Sequence, residues 1–398
     1  MDYKIIMKRY KEGTATEEEK RQIEEELEKF QELETYLSEA LDEELLQEEN
    51  DQEEYREREV LETKKIRTSV NKKLFQMGVL SALVIVLLYV GVFHGVSSLV
   101  DKFYYQPNKE SVGNLDYDSS FDLYAINALN SPGVSTSTVW VDTHGFGAYE
   151  LYYTLRDGFT GETSNIHKRL QRGEVVYTQS DPIYGRNFFQ SIRLPNDEAY
   201  LAQRKNAVVA HLEALNGVTY VSLEVTFTKN LTMEELYALE EKYEDLDFQW
   251  AGIVTGETLE TTKEFIGIPL LNSHARSSIM GDEKVLNTYP GLFLKDWLVH
   301  PVGRSAHEKP LVAEGYEVHY KSLLDYLIQR EEAVRVFEYR EEKTLFYEEA
   351  RAYAEDKGVE TYGVVIYGEV EDLLLLGGDD LVKSLEFHGA LVSRSNLK

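Results

Sequence analysis

The sequence predicts an α+β protein in three parts: a small helical N-terminal domain, one transmembrane helix, and an α+β domain built on a duplicated α-β-α-β unit. Three observations predict it. Leu74 to Val100 runs 27 residues without Lys, Arg, Asp or Glu. The 73 residues before it are dominated by acidic, helix-forming sequence. The region after it alternates helical and strand patterning twice in the same order.

The chain has 398 residues, 71 Asp+Glu against 42 Lys+Arg and no cysteine. A net charge of -29 argues against direct binding to nucleic acid phosphates. Without cysteine there is no disulfide framework, no thiolate nucleophile and no cysteine-ligated zinc.

Residues 1–73 are expected to form a cytoplasmic acidic domain. Between Glu12 and Glu62 lie 22 acids and five bases. Thr16 is an N-cap whose capping box is closed by Glu19. After it Ile23, Leu27, Phe30, Leu33, Leu37, Leu41 and Leu45 recur at three and four residues, which places them on one helical stripe. Tyr3, Ile5, Ile6, Met7 and Tyr10 form a second apolar cluster, and Gly13 breaks the chain between the two. So small a domain has little core of its own, and the stripe needs cover. Four readings stay open: the short N-terminal helix, a second copy in a coiled coil, another protein with a basic surface, or a solvated helix that is merely a spacer.

At about 1.5 Å per residue, residues 74–100 reach about 40 Å, enough for the ~30 Å of hydrocarbon in a bilayer. A buried soluble helix is rarely this long and uniformly apolar. A signal peptide would be preceded by a short basic stretch instead of a long charged one. Lys64, Lys65, Arg67, Lys72 and Lys73 just before the span put the N-terminus in the cytoplasm and the rest beyond the membrane. Gly91 and Gly95 make a GxxxG pair that would let a second helix approach, or that occurs by chance in a glycine-tolerant span.

Residues 101–137 are expected as a linker, because Tyr104 to Gly133 is rich in Asn, Asp, Ser, Gly and Pro. The sensor domain is expected over residues 138–398. Strands are read at Thr138–Asp142, Ala148–Arg156 and Glu174–Thr178, around the turn His144-Gly145-Phe146-Gly147. The repeat follows. Helix Asp197–Leu215, Gly217-Val218, strand Thr219–Phe227, helix Thr232–Lys242 and strand Phe248–Thr255 return in the same order, the Gly-Val pair 141 residues later and the other elements at roughly that offset, as helix Thr344–Lys357, Gly358-Val359, strand Thr361–Tyr367, helix Glu369–Leu376 and strand Ser384–Val392. The order implies helices over one face of a largely antiparallel, ferredoxin-like sheet; whether the repeats share one sheet or make two stays open.

No catalytic residue, metal site or cofactor is read from the chain. HExxH, the P-loop and G-x-S-x-G are absent, and Ser69-Val70-Asn71-Lys72 matches SxxK only beside the membrane. His274, His300, His307 and His319 read as surface or hydrogen-bonded residues. Glu331-Glu332 and Asp379-Asp380 read as solvated turns or helix ends.

Arg9-Tyr10, Gly13-Thr14-Ala15-Thr16 and the Glu26 to Lys29 stretch, followed by a membrane span, resemble the N-terminal region of the sigma factor regulators, membrane anti-sigma factors of Gram-positive bacteria of the anti-sigma-M type. Thr219-Tyr220-Val221-Ser222-Leu223, Thr232-Met233-Glu234-Glu235-Leu236 and Trp250 are similar to the middle of the C-terminal domain of that family. Tyr362-Gly363-Val364-Val365-Ile366-Tyr367-Gly368 resembles its end. Two features depart from the pattern: the tail Asn396-Leu397-Lys398 lacks an aromatic ending, and Leu271 to Lys284 has no counterpart. The resemblance implies capture of an extracytoplasmic-function sigma factor by Tyr10, Ile23, Leu27, Phe30, Leu33, Leu37 and Leu41, and response to cell envelope stress through the outer domain. It also implies a small membrane co-regulator, for which Gly91 and Gly95 are the sequence hint. Change of oligomeric state, displacement of a partner and proteolysis all remain open as release routes. Two rival readings are an envelope scaffold with a self-pairing inner helix and an outer-face enzyme with a polar pocket.

Overall fold

The structure is a computed structural model that describes residues 3–45, 54–109, 118–180, 189, 198–257, 264–273, 287–299, 311–338 and 342–393. It divides into two compact units, residues 1–87 and 88–398.

The first unit is helical. Helix α1 (Tyr3–Lys11) and α2 (Glu17–Leu45) flank a turn at Gly13, and α3 (Glu54–Gly91) follows. Thr16 caps α2 as its sequence requires: its Oγ1 accepts the Glu19 N–H at 3.3 Å while Glu19 accepts the Thr16 N–H at 2.9 Å. Ile6, Ala15 and Ile23 are buried and form the small core between α1 and α2.

Residues 69–101 form the one helical stretch among the described residues that is long and apolar enough to span a membrane. It runs through α3, a π-helical turn (Val92–Val96) and α4 (Ser97–Asp101).

In the second unit the stretch expected as a linker instead carries α5 (Asp118–Asn130), with Phe121, Leu123, Ala125, Ile126 and Leu129 buried. Polar residues hid it, but they are used internally. Asp122 is fully buried and accepts from Tyr105 Oη at 2.7 Å, Tyr326 Oη at 2.8 Å and Arg330 Nε and Nη2 at 3.0 Å each. A buried carboxylate held by a bidentate guanidinium and two phenols is fully satisfied.

Strands β1 (Val134–Gly145), β2 (Ala148–Asp157), β3 (Thr163–Gln171) and β4 (Glu174–Ser180) then form an antiparallel meander. One face, with Tyr149, Leu151, Tyr153, Ile166 and Leu170, is core. The other is exposed at Trp140, Tyr152 and Tyr177.

Helix α6 (Glu198–Glu213), β5 (Tyr220–Thr232), α7 (Met233–Lys242), β6 (Asp247–Ile253) and β7 (Ile266–Pro269) follow. Next come α8 (Leu294–Val299), α9 (Val312–Ile328), α10 (Glu331–Glu338) and α11 (Lys343–Lys357). Then β8 (Glu360–Glu369), α12 (Val370–Gly377) and β9 (Val382–Leu391) close the fold. All five strands join one antiparallel sheet in the order β7-β6-β8-β5-β9. The repeats therefore interleave, β8 of the second lying between β5 and β6 of the first, as in two split βαβ units.

Both faces of this sheet are buried, where helices over one face were expected. Leu236, Leu239, Leu373 and Leu376 from α7 and α12 join the main core, while Phe159, Phe189, Trp250, Tyr362 and Tyr367 make a second aromatic core.

Candidate functional site

The N-terminal stripe splits in two. Ile23 is only 1% exposed and belongs to the α1–α2 core, and Tyr10 is half-buried. Leu27, Phe30, Leu33 and Leu37 are exposed, Phe30 to 70%, and Tyr36 joins them. Thus α1 covers the first turns of α2 and leaves the following turns open. Leu41 lies within α2, and its side-chain surroundings are outside the description. This exposed row of Leu, Phe and Tyr lies on an acidic helix and is left uncovered by the described residues of the unit.

Gly91 closes α3 and Gly95 lies in the π-helical turn; a Cβ at either would meet no atom within 4 Å. Both positions are therefore uncovered by the described residues.

Sequence reasoning missed a third feature, at the far end of the same helix. The turn between β1 and β2 grips α4. Ser97 Oγ accepts the Phe146 N–H at 2.8 Å, and Asp101 Oδ1 accepts the Gly147 N–H at 2.6 Å. Phe93 and Phe146 meet edge-on with centroids 6.1 Å apart. Phe146 holds a left-handed φ of +56° between Gly145 at +81° and Gly147 at +76°. For a bulky residue that conformation costs about 1–2 kcal/mol, so the contacts to the helix must offset it. Tyr149 at the start of β2 lies beside Asp101, and burial together with that carboxylate pushes its phenol up to about 12.

Among the described residues no group of three or more His, Asp or Glu could hold a metal ion. A cleft by α5, β1 and β6, lined by Ser120, Tyr124, Asn127, Thr136, Gln249 and Trp250, has no carboxylate, imidazole or ammonium group among its described lining residues. Lys168 borders a second cavity, and burial pulls it down to about 7. Its Nζ donates to the Val336 and Phe337 carbonyls at 3.2 and 3.4 Å, capping the C-terminus of α10, which is a structural use of the cation. His319 is buried with Nδ1 2.6 Å from the Gly291 carbonyl oxygen, and burial lowers it to about 4. Asp379 accepts from Lys242 Nζ at 2.6 Å and Tyr243 Oη at 2.8 Å, and these bonds pull it down to about 2. His274, His300, His307 and most of Leu271 to Lys284 lie outside the described residues.

Residues 212–388 match the family described as sigma factor regulator C-terminal. The match runs from the end of α6 into β9 and so covers the interleaved sheet with its inserted helices, just under half of the chain. It supports the sigma factor regulator family, a regulatory and non-enzymatic one, and with it an anti-sigma function. No curated protein and no solved structure matches the chain. The N-terminal helices lie outside the matched residues.

Proposed function

We propose that the protein is a single-pass membrane anti-sigma factor, N-terminus in the cytoplasm, that holds an extracytoplasmic-function sigma factor through α1 and α2. The sigma factor regulator match carries this reading. Three features support it. The helix over residues 69–101 is long and apolar enough to span. Basic residues Lys64, Lys65, Arg67, Lys72 and Lys73 precede it, as the positive-inside rule asks of a cytoplasmic flank. Leu27, Phe30, Leu33, Tyr36 and Leu37 form an open apolar face on α2. In this function that face covers the surface by which the sigma factor would engage polymerase, and the surrounding acids pair with its basic groups. Gly91 and Gly95 offer a seat for a small membrane co-regulator. The grip of the β1–β2 turn on α4 gives the outer domain a handle on the helix, so envelope stress sensed outside reaches the captured sigma factor.

The test is affinity purification of the tagged full chain from its own cells. A sigma factor is expected to co-purify, and the pair Phe30→Asp and Leu33→Asp should release it and switch on its target genes. Absence of any sigma factor, or target genes that stay silent in the double variant, defeats the reading. Self-pairing of the N-terminal unit without a sigma factor would favour the scaffold.

A further inference from the structure

The β1–β2 turn grips the helix before its apolar run has ended. Ser97, whose Oγ accepts the Phe146 N–H, stands inside that run, and the Phe146 ring reaches Phe93, a full turn deeper. Ser97 is 6% exposed under the turn, while Val92, Val96 and Leu99 are open, Leu99 to 59%. Their spacing of four and three residues puts those three on one stripe. Lys102 and Arg172 are exposed beside the joint, and the Arg172 N–H donates to the Gly147 carbonyl at 2.7 Å.

Two lengths fix where such a turn can lie. The left-handed backbone of Gly145, Phe146 and Gly147 cannot face hydrocarbon, where every unpaired amide or carbonyl is costly, so the hydrocarbon must end short of the turn. Leu74 to Phe93 is 20 residues, about 30 Å at the helical rise and one hydrocarbon thickness. Ser97 then stands about 6 Å beyond that boundary, within the headgroup layer, and Asp101 about 12 Å beyond it, at the water side. A helix tilted enough to hide its whole apolar run would drag the turn into hydrocarbon. The surplus residues 94–100 are therefore the ones the turn occupies.

We propose that the β1–β2 turn is seated in the headgroup layer of the outer leaflet and that the joint gauges bilayer thickness, residues 94–100 being given either to the turn or to lipid. The partner is the phospholipid around the helix. Val92, Val96 and Leu99 continue the lipid-facing surface of the span, and Lys102 and Arg172 bring cations toward the phosphates on a chain of net charge -29. With the turn in place the helix matches about 30 Å of hydrocarbon; with the turn released it matches about 40 Å. A thicker bilayer favours release, because lipid then discriminates between the two states. This rests on the single-pass reading above and gives it a stimulus, a change in membrane thickness.

The chain has no cysteine, so a single introduced one carries a unique nitroxide label. The full chain is labelled at His144→Cys, Leu83→Cys or Val392→Cys, all exposed positions, and placed in nanodiscs of dimyristoyl, dioleoyl or dierucoyl phosphatidylcholine. Collision with oxygen and with a water-soluble nickel chelate reads depth. Leu83 should meet oxygen, Val392 the chelate, and His144 should meet the chelate severalfold less often than Val392 does. Amide exchange at Phe146 and Gly147 should quicken about tenfold or more from dioleoyl to dierucoyl discs, and the double variant Ser97→Ala, Asp101→Ala should lose that dependence. A His144 label as open to the chelate as Val392, or shielded from both reagents as under a protein partner, overturns the proposal. So does exchange that ignores lipid length, or that follows it equally in the double variant. Water at Leu83 defeats the span and this inference with it, whereas lipid at Leu83 with an aqueous His144 defeats the gauge alone. No sigma factor is present, so that second failure leaves capture by α2 untouched.

Discussion

Ile23 and Phe30 sit seven residues apart in α2 and have opposite environments. Burying a charge at position 23 leaves it unpaired in the α1–α2 core, so Ile23→Asp should destabilise that pairing by about 3 kcal/mol or more and lower the melting temperature seen by circular dichroism. Phe30→Asp should leave the helix signal intact and remove partner binding, a separation of stability from function that a spacer helix would not show. The stripe itself was legible from its spacing. Which of its residues α1 covers was not, because the period is the same on both sides of the boundary. Lys168 teaches the same lesson: Ser164, Ile166, Lys168 and Leu170 point into the core, and with two polar residues among four the alternation of β3 is invisible in the sequence. Its ammonium is pulled below the usual lysine value by burial, opposed by Glu338. The unfolded chain therefore holds a proton that the folded chain has released between about pH 7 and the ordinary lysine range. Stability from this group rises with pH across that window and is lost as pH falls toward 7. The denaturation midpoint of Lys168→Met, compared with the parent between pH 7 and 9, should lack this component of the slope; parallel profiles would mean that the buried amine does not titrate there.

At the scale of elements, the grip on α4 depends on three left-handed residues in succession. A Cβ at Gly145 would stand 2.7 Å from Ser97 Oγ, and the positive φ would be strained besides. The sequence showed a turn at His144 to Gly147 but not its partner, since Ser97 and Asp101 read only as the end of an apolar span. Replacing Ser97 and Asp101 together by Ala removes the acceptors of two amides, each worth about 1–3 kcal/mol when left unsatisfied. Hydrogen exchange at Phe146 and Gly147 should then accelerate by about tenfold or more while β6 and β8 stay protected. Unchanged exchange would mean the turn holds its shape without the helix. Helix α5 was hidden for a related reason. Its Asp122 and Asn127 are satisfied by tertiary partners, so polar residues that resembled a linker are interior ones.

For the C-terminal unit as a whole, the repeat was readable and its interleaving was not, because each strand's local pattern says that it is buried and not beside which strand. The arrangement has a consequence for cooperativity. Among the described strands β5 pairs only with β8 and β9, and β6 loses all but β7 if β8 is absent. The first α-β-α-β unit is therefore not a domain, although its sequence looks like one: without the second repeat its central strand Tyr220–Thr232, buried over Tyr220 to Phe227, has no neighbour on either side. A chain ending at Lys357 should lose the folded unit entirely instead of keeping half of it. Limited proteolysis and the dispersion of amide signals in NMR spectra report this directly. A protease-resistant core holding β5, α7 and β6 in that truncation would show that the first repeat folds alone. The same coupling means that a ligand stabilising either repeat stabilises both, because the strand exchanged between them leaves no intermediate in which one is formed without the other.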